Sequence, residues 1–148
     1  MQGIDCSQVV AGRFADELEM EESLLRKMSA CFGGGMQCGE TCGAVTGALM
    51  VIGLKYGHSM NNDLKQKRNT CVKRLLSSSV LFAEKYESCM CRELLGHDIS
   101  KEDEMEQVLE QGLLFDFCSM CCKRHNRNTG EDDIDAAYKG RNRDGHIL

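Results

Sequence analysis

The stretch GETCGAVTGALMVIGLKYG, residues 39–57, constrains the fold more than any other part of this chain. Thr41 is a suitable N-cap and Gly57 a suitable stop, and the helix between them is apolar on every side. A helix with no polar face has to lie at the centre of a fold. Gly43 and Gly47 stand one turn apart on it, so a neighbouring backbone can approach closely there. The apolar run from Ala44 to Leu54 is broken by Gly47 and Gly53 and falls short of the ~20 residues a membrane span needs. The expectation is a buried core helix, with no membrane as a partner.

The other segments read as helices that pack around it. The chain has no proline, 5% aromatic residues and few β-branched ones, so little favours strands and nothing locks φ against a helix. Asp5 with Gln8 forms a capping-box pattern, followed by Val10, Phe14 and Leu18 at helical spacing. A second helix is expected over Glu22 to Cys31, with an acidic start that suits its dipole, ended by Gly33-Gly34-Gly35. Residues Asn62 to Glu87 form a long amphipathic pattern with Leu64, Cys71, Leu75, Phe82 and Tyr86 near one face. Ser100 with Asp103 opens an acidic helix that stops at Gly112, and a last helix covers about Leu113 to His125. The expected fold is all-α, a compact single-domain bundle of about five to six helices around the central helix Cys42–Gly57. Residues 1–125 would form the domain and residues 126–148 a polar, loosely ordered tail.

With 148 residues the chain can bury one real core. A net charge of −5 without a long Lys/Arg block argues against nucleic acid as a partner. The ten cysteines need a separate explanation. The start MQGIDCSQVV has neither a basic nor an apolar leader region, so the expectation is a cytoplasmic protein with reduced thiols. Metal ligation, redox work and core packing are the three uses open to them.

Cys6 and Cys42 each fall at the first position of an expected helix, where unpaired N–H groups stabilise a thiolate. Alone, each also reads as a small buried hydrophobe; two in one setting make the thiolate reading stronger. Gly33, Gly34, Gly35 and Cys38 form a loop whose backbone amides can come close to sulfur, one way of tuning an iron–sulfur centre and hence a candidate cofactor-binding loop. The same loop also serves as a plain connection. Cys89 and Cys91 are two apart and diverge on a helix, whereas Cys118, Cys121 and Cys122 share one face. The zinc pattern of two well-spaced CxxC pairs is absent, and the CxxCH of covalent haem is excluded by Cys122. His58, His97 and His146 read as surface residues, and His125, three beyond Cys122, as a secondary metal candidate. Cys31 and Cys71 fit apolar helical patterns and read as core.

The segments FGGGMQCGETCGAVTGALMVIGLKYG (Phe32 to Gly57), CSQVV at Cys6, CRELLGHDIS at Cys91 and GLLFDFC ending at Cys118 make the chain resemble the C_GCAxxG_C_C family, whose members are described as redox-active and are related to the C-terminal part of split-Soret cytochromes. The resemblance implies a helical fold and a redox role. The family's spaced cysteines fall on Cys6, Cys42, Cys91 and Cys118. Two departures stand out: Cys42 precedes Gly43 rather than following a glycine, and SMCCKRHNRNTGEDD follows Cys118. The resemblance implies that these four cysteines ligate an iron–sulfur cluster of the 2Fe–2S type for electron transfer; Cys121, Cys122 and His125 are secondary metal candidates on their spacing after Cys118 alone. Zinc or no metal are the alternatives for the cofactor. For function the alternatives are metal-free thiol–disulfide chemistry, drawing on Cys118 with Cys121 or on Cys6 with Cys42, and a non-catalytic helical module. The expected partners are a redox protein and, through an apolar helix face, a second copy of the chain.

Overall fold

A computed structural model describes residues 3–59 and 64–128, without the side chains of residues 66 and 123–128. Among the described residues, seven α-helices follow one another: α1 (Cys6–Gly12), α2 (Glu22–Ser29), α3 (Gly43–Tyr56), α4 (Leu64–Tyr86), α5 (Cys91–Leu95), α6 (Glu102–Glu110) and α7 (Phe117–Asn128), with a 3-10 segment at Ala30–Gly35. The all-α bundle expected from the sequence is the one observed. The helix number exceeds five to six because the short α5 forms between the long amphipathic helix and the acidic one. Residues 129–148, expected as a tail, lie outside the described residues.

The first helix starts as its sequence dictates, with the Asp5 amide donating to Gln8 Oε1 at 2.9 Å. It ends at Gly12, earlier than the apolar pattern through Leu18 suggests, and residues 13–19 continue as turns. The Ser7 hydroxyl donates to the Ser29 carbonyl at 2.7 Å and Ser29 to Leu25 at 2.8 Å, so both buried serines are satisfied and tie α1 to α2.

Cys42, not Thr41, is the N-cap of α3. Thr41 is instead held in a single antiparallel bridge opposite Met90. Through most of its length α3 is the buried centre, with Ala44, Val45, Ala48, Val51 and Ile52 all in the core. Its last turn emerges, leaving Gly53 and Leu54 exposed. The glycine pair sets how closely α1 can lie on it. A methyl group at Gly47 would stand 2.7 Å from the Ser7 carbonyl oxygen, and one at Gly43 would stand 3.0 Å from Cys6 Cβ and 3.1 Å from Gly33 Cα. Any larger residue forces the two helices apart.

α4 is longer than α3, 23 residues against 14, and only its C-terminal half is covered. Phe82 is buried and stacks on Tyr86 with ring centroids 4.7 Å apart, and Tyr86 meets Phe117 of α7 at 6.0 Å. Leu64, expected on the buried face, is exposed because α3 ends near Arg74, whose guanidinium lies 4.0 Å over the Tyr56 ring. Cys71 is half-buried there. Among the described residues no helix is long and apolar enough to cross a membrane.

Gly47 and Gly53 allow a matched test of this packing. Gly47→Ala is expected to lower unfolding stability by about 1–3 kcal/mol through overpacking against α1. Gly53→Ala, with nothing within 4 Å of the added methyl, is expected to raise it by roughly 0.5–1 kcal/mol through helix propensity. Urea titration of both variants checks the pair, and equal stabilities would refute the close α1–α3 approach.

Candidate functional site

Six of the ten cysteines meet in one region, and the backbone explains how each arrives. Cys6 is the first residue of α1 and is brought against α3 by the Gly43–Gly47 contact. Cys42 caps α3 and Cys91 opens α5. These two are held by the short bridge, in which the Cys42 amide donates to the Cys89 carbonyl at 2.8 Å and the Cys91 amide to the Glu40 carbonyl at 2.6 Å. Arg92 fastens the same strip, donating to the carbonyls of Gly39 and Cys38 at 3.3 and 3.2 Å and pairing with the Glu40 carboxylate. Cys118 is the second residue of α7, where its amide donates to the Leu113 carbonyl at 3.1 Å. Cys121 and Cys122 follow one turn later on the same face.

Packing divides the sulfurs into two groups with Cys6 between them. Cys42, Cys121 and Cys122 are buried with Val10, Ala44, Val45, Ala48 and Phe82. Cys91 and Cys118 are buried with Leu95 and Val108, and Cys6 packs against both groups. The Cys122 sulfur lies 3.7 Å from the Cys6 carbonyl oxygen. The sequence ranked Cys121 and Cys122 behind the four family positions, yet they are 1% and 0% exposed in the same region. Their i, i+3, i+4 relation to Cys118 was the signal for this.

Burial around so many thiols leaves room for one negative charge. The Cys6 thiol is held well below the usual thiol range by the neighbouring thiols of Cys118 and then Cys122, against the opposing effect of burial. Cys118 and Cys122 are pushed up by the same neighbouring Cys6, and burial adds to this. Burial likewise raises Cys42, opposed by the Ala44 amide, and pushes Cys91 up to about 12. A second thiolate would face the first in a medium of low polarity.

Of the remaining cysteines, Cys89 is half-buried and packs against the group of Cys42, Cys121 and Cys122, its thiol donating to the Ser79 carbonyl at 3.3 Å. Cys31 is exposed, contrary to its expected place in the core, because it falls on the 3-10 segment rather than on α2. Cys38 is also exposed: its carbonyl, rather than its sulfur, engages the body through Arg92. Gly33 sits against Asp5 and Gly43, Gly34 against Ile99 and Gln37, and Gly35 against the Glu40 backbone. Gly33 is therefore the loop glycine at the Cys6–Cys42 corner. The side chain of His125 and the whole of His146 lie outside the described residues, His58 is exposed, and His97 is half-buried beside Gln111.

As the thiols stand, no three His, Cys, Asp or Glu side chains among the described residues are set to hold one metal ion. The donor set is nevertheless all sulfur at its centre, the chemistry that suits iron–sulfur centres and other soft metals.

The model of a family described as "Putative redox-active protein (C_GCAxxG_C_C)" matches residues 4–131, which takes in all six of these cysteines. No curated protein and no solved structure gave a match.

The thiol pattern fixes how the reduced, metal-free protein responds to pH. Lowering of the Cys6 pKa contributes stability that is present above the ordinary thiol value of 9.0 and is lost as pH falls below it. Raising of Cys42, Cys91, Cys118 and Cys122 contributes stability that is present below 9.0 and is lost above it, as the unfolded chain ionises first. Stability is therefore expected to fall steeply above pH 9, by ~1.4 kcal/mol per pH unit for each such thiol. Cys91→Ala is expected to make the fall shallower by one thiol's share. Urea unfolding under strong reductant between pH 8 and 10.5 measures the slope, and a flat profile would count against the buried cluster.

Proposed function

From the membership of this chain in the C_GCAxxG_C_C family, we propose that its buried thiols form a redox centre in which Cys6, Cys42, Cys91 and Cys118 ligate an iron–sulfur cluster of the 2Fe–2S type. The observation that carries this reading is the convergence of these four cysteines, distant in sequence, at the N-terminal ends of four helices around one buried region. Four thiolates meet the ligand requirement of such a cluster. Sulfurs around a cluster of several irons are spread more widely than those around one ion, so the lack of a ready single-ion site is compatible with this reading.

An iron–sulfur group supplies a one-electron couple within a protein interior. The chain's own residues supply the rest. Gly43 and Gly47 bring Cys6 to Cys42, and the Thr41–Met90 bridge with Arg92 fixes Cys42 relative to Cys91. Val10, Val45, Phe82, Leu95 and Val108 keep water away. Cys42, Cys91 and Cys118 hold their protons firmly without a cation, so loading releases protons and is expected to weaken as pH falls. Cys121 and Cys122 lie buried beside Cys42. Zinc on the same sulfurs is the alternative occupant, and an electron-transfer protein is the expected partner.

A second reading is favoured by the thiolate of Cys6 between Cys118 and Cys122: metal-free thiol–disulfide exchange, with Cys6 as the attacking sulfur.

Single serine substitutions separate these readings. In protein purified without oxygen, Cys6→Ser, Cys42→Ser, Cys91→Ser and Cys118→Ser are each expected to remove most of the visible absorption and of the bound iron and sulfide. Cys31→Ser and Cys38→Ser, at the exposed thiols, are expected to retain both. Full colour in all four variants refutes the ligand assignment. A colourless, iron-free parent whose Cys6 alone reacts rapidly with a thiol reagent at neutral pH supports the exchange reading.

A further inference from the structure

The N-terminal half of α4 is largely exposed. From Arg74, which stacks on Tyr56, back to Leu64, roughly 15 Å of helix at 1.5 Å per residue, the described side chains are exposed except the half-buried Cys71 and Arg74. Leu64, Arg68, Val72 and Leu76 lie on it at intervals of four and so form one ridge. Leu64, Val72 and Leu76 are 49%, 45% and 51% exposed. Lys65, Lys67 and Arg68 beside them are also exposed. From Leu64 to Leu76 the chain has five Lys and Arg residues and no Asp or Glu.

α6 carries the complementary pattern. Glu102–Glu110 holds five acidic residues and no basic one. Glu102, Asp103, Glu106 and Glu110 face solvent, together with Leu109 at 50% and, just beyond the helix, Phe115 at 57% exposure. Glu104 is the member already engaged, with Lys101 and the Asp98 amide. Both faces are exposed, so they do not cover one another within a chain.

We propose that these two faces meet between two copies of the chain, with α4 of each copy lying along α6 of the other in a two-fold dimer. Exposed apolar residues within each charged face give the contact its buried centre, and the opposite charges give it register and orientation. A two-fold axis makes the contact twice, which doubles the buried area for one complementary pair of surfaces. Pairing α4 with α4, or α6 with α6, would oppose like charges and is excluded on that ground. This assembly does not depend on the occupancy of the thiol site.

A charge swap tests it with the full-length protein. Sedimentation equilibrium at low salt is expected to give a dimer whose dissociation constant rises at least tenfold at high salt. The triple variants Lys65→Glu/Lys67→Glu/Arg68→Glu and Glu102→Lys/Asp103→Lys/Glu106→Lys are each expected to be folded by circular dichroism and monomeric. An equimolar mixture of the two is expected to recover a dimer, because each basic face then meets an acidic one. A wild-type monomer throughout overturns the proposal. So do triple variants that dimerise as the wild type does, or a mixture that stays monomeric.

Discussion

The close contact of α1 with α3 at Gly43 and Gly47 is the constraint on which the rest of the structure depends. Two backbones meet there with no side chain between them, and the Ser7 carbonyl stands where a methyl group on Gly47 would need to be. This proximity places Cys6 beside Gly43, one residue from Cys42. It also lets Val10 and Val45 share one core with Phe82 of α4 and Cys121 and Cys122 of α7. Replacing either glycine would widen the sulfur region along with the helix spacing, so packing and chemistry are set by the same two residues.

The thiol region adds an electrostatic constraint. Sulfur is weakly polar and is buried easily when protonated, which is why five of the six thiols sit in the core. Cys6 is the thiol whose ionisation is favoured, through the neighbouring Cys118 and Cys122. A cation in the region would reverse that preference by drawing the protons from the ligand sulfurs.

Much of this was legible in the sequence. The uniformly apolar segment after Thr41 placed α3 at the centre, its glycine spacing marked the face for a neighbouring backbone, and Asp5 with Gln8 marked the start of α1. The shared face of Cys118, Cys121 and Cys122 followed from helical spacing alone. What was not legible depended on tertiary context. Leu64 fits the buried stripe of α4 but lies where α3 has already ended, and no periodicity in α4 reveals the length of its neighbour. Cys31 continues the pattern of α2, yet the glycines after it tighten the turn and leave it in solvent. Cys42 became the cap in place of Thr41 because Thr41 sits in the bridge to Met90, a contact across some fifty residues that local pattern does not encode. Convergence of the family cysteines was implied by resemblance rather than by spacing, since nothing local relates Cys6 to Cys91.

Iron K-edge X-ray absorption on protein purified without oxygen tests the central claim most directly, because it reads the atoms around the metal. An all-sulfur first shell with a short iron–iron distance is the expected result, and it would make the buried thiols a redox centre. Absence of iron, or iron bound mainly through oxygen and nitrogen, would contradict that assignment.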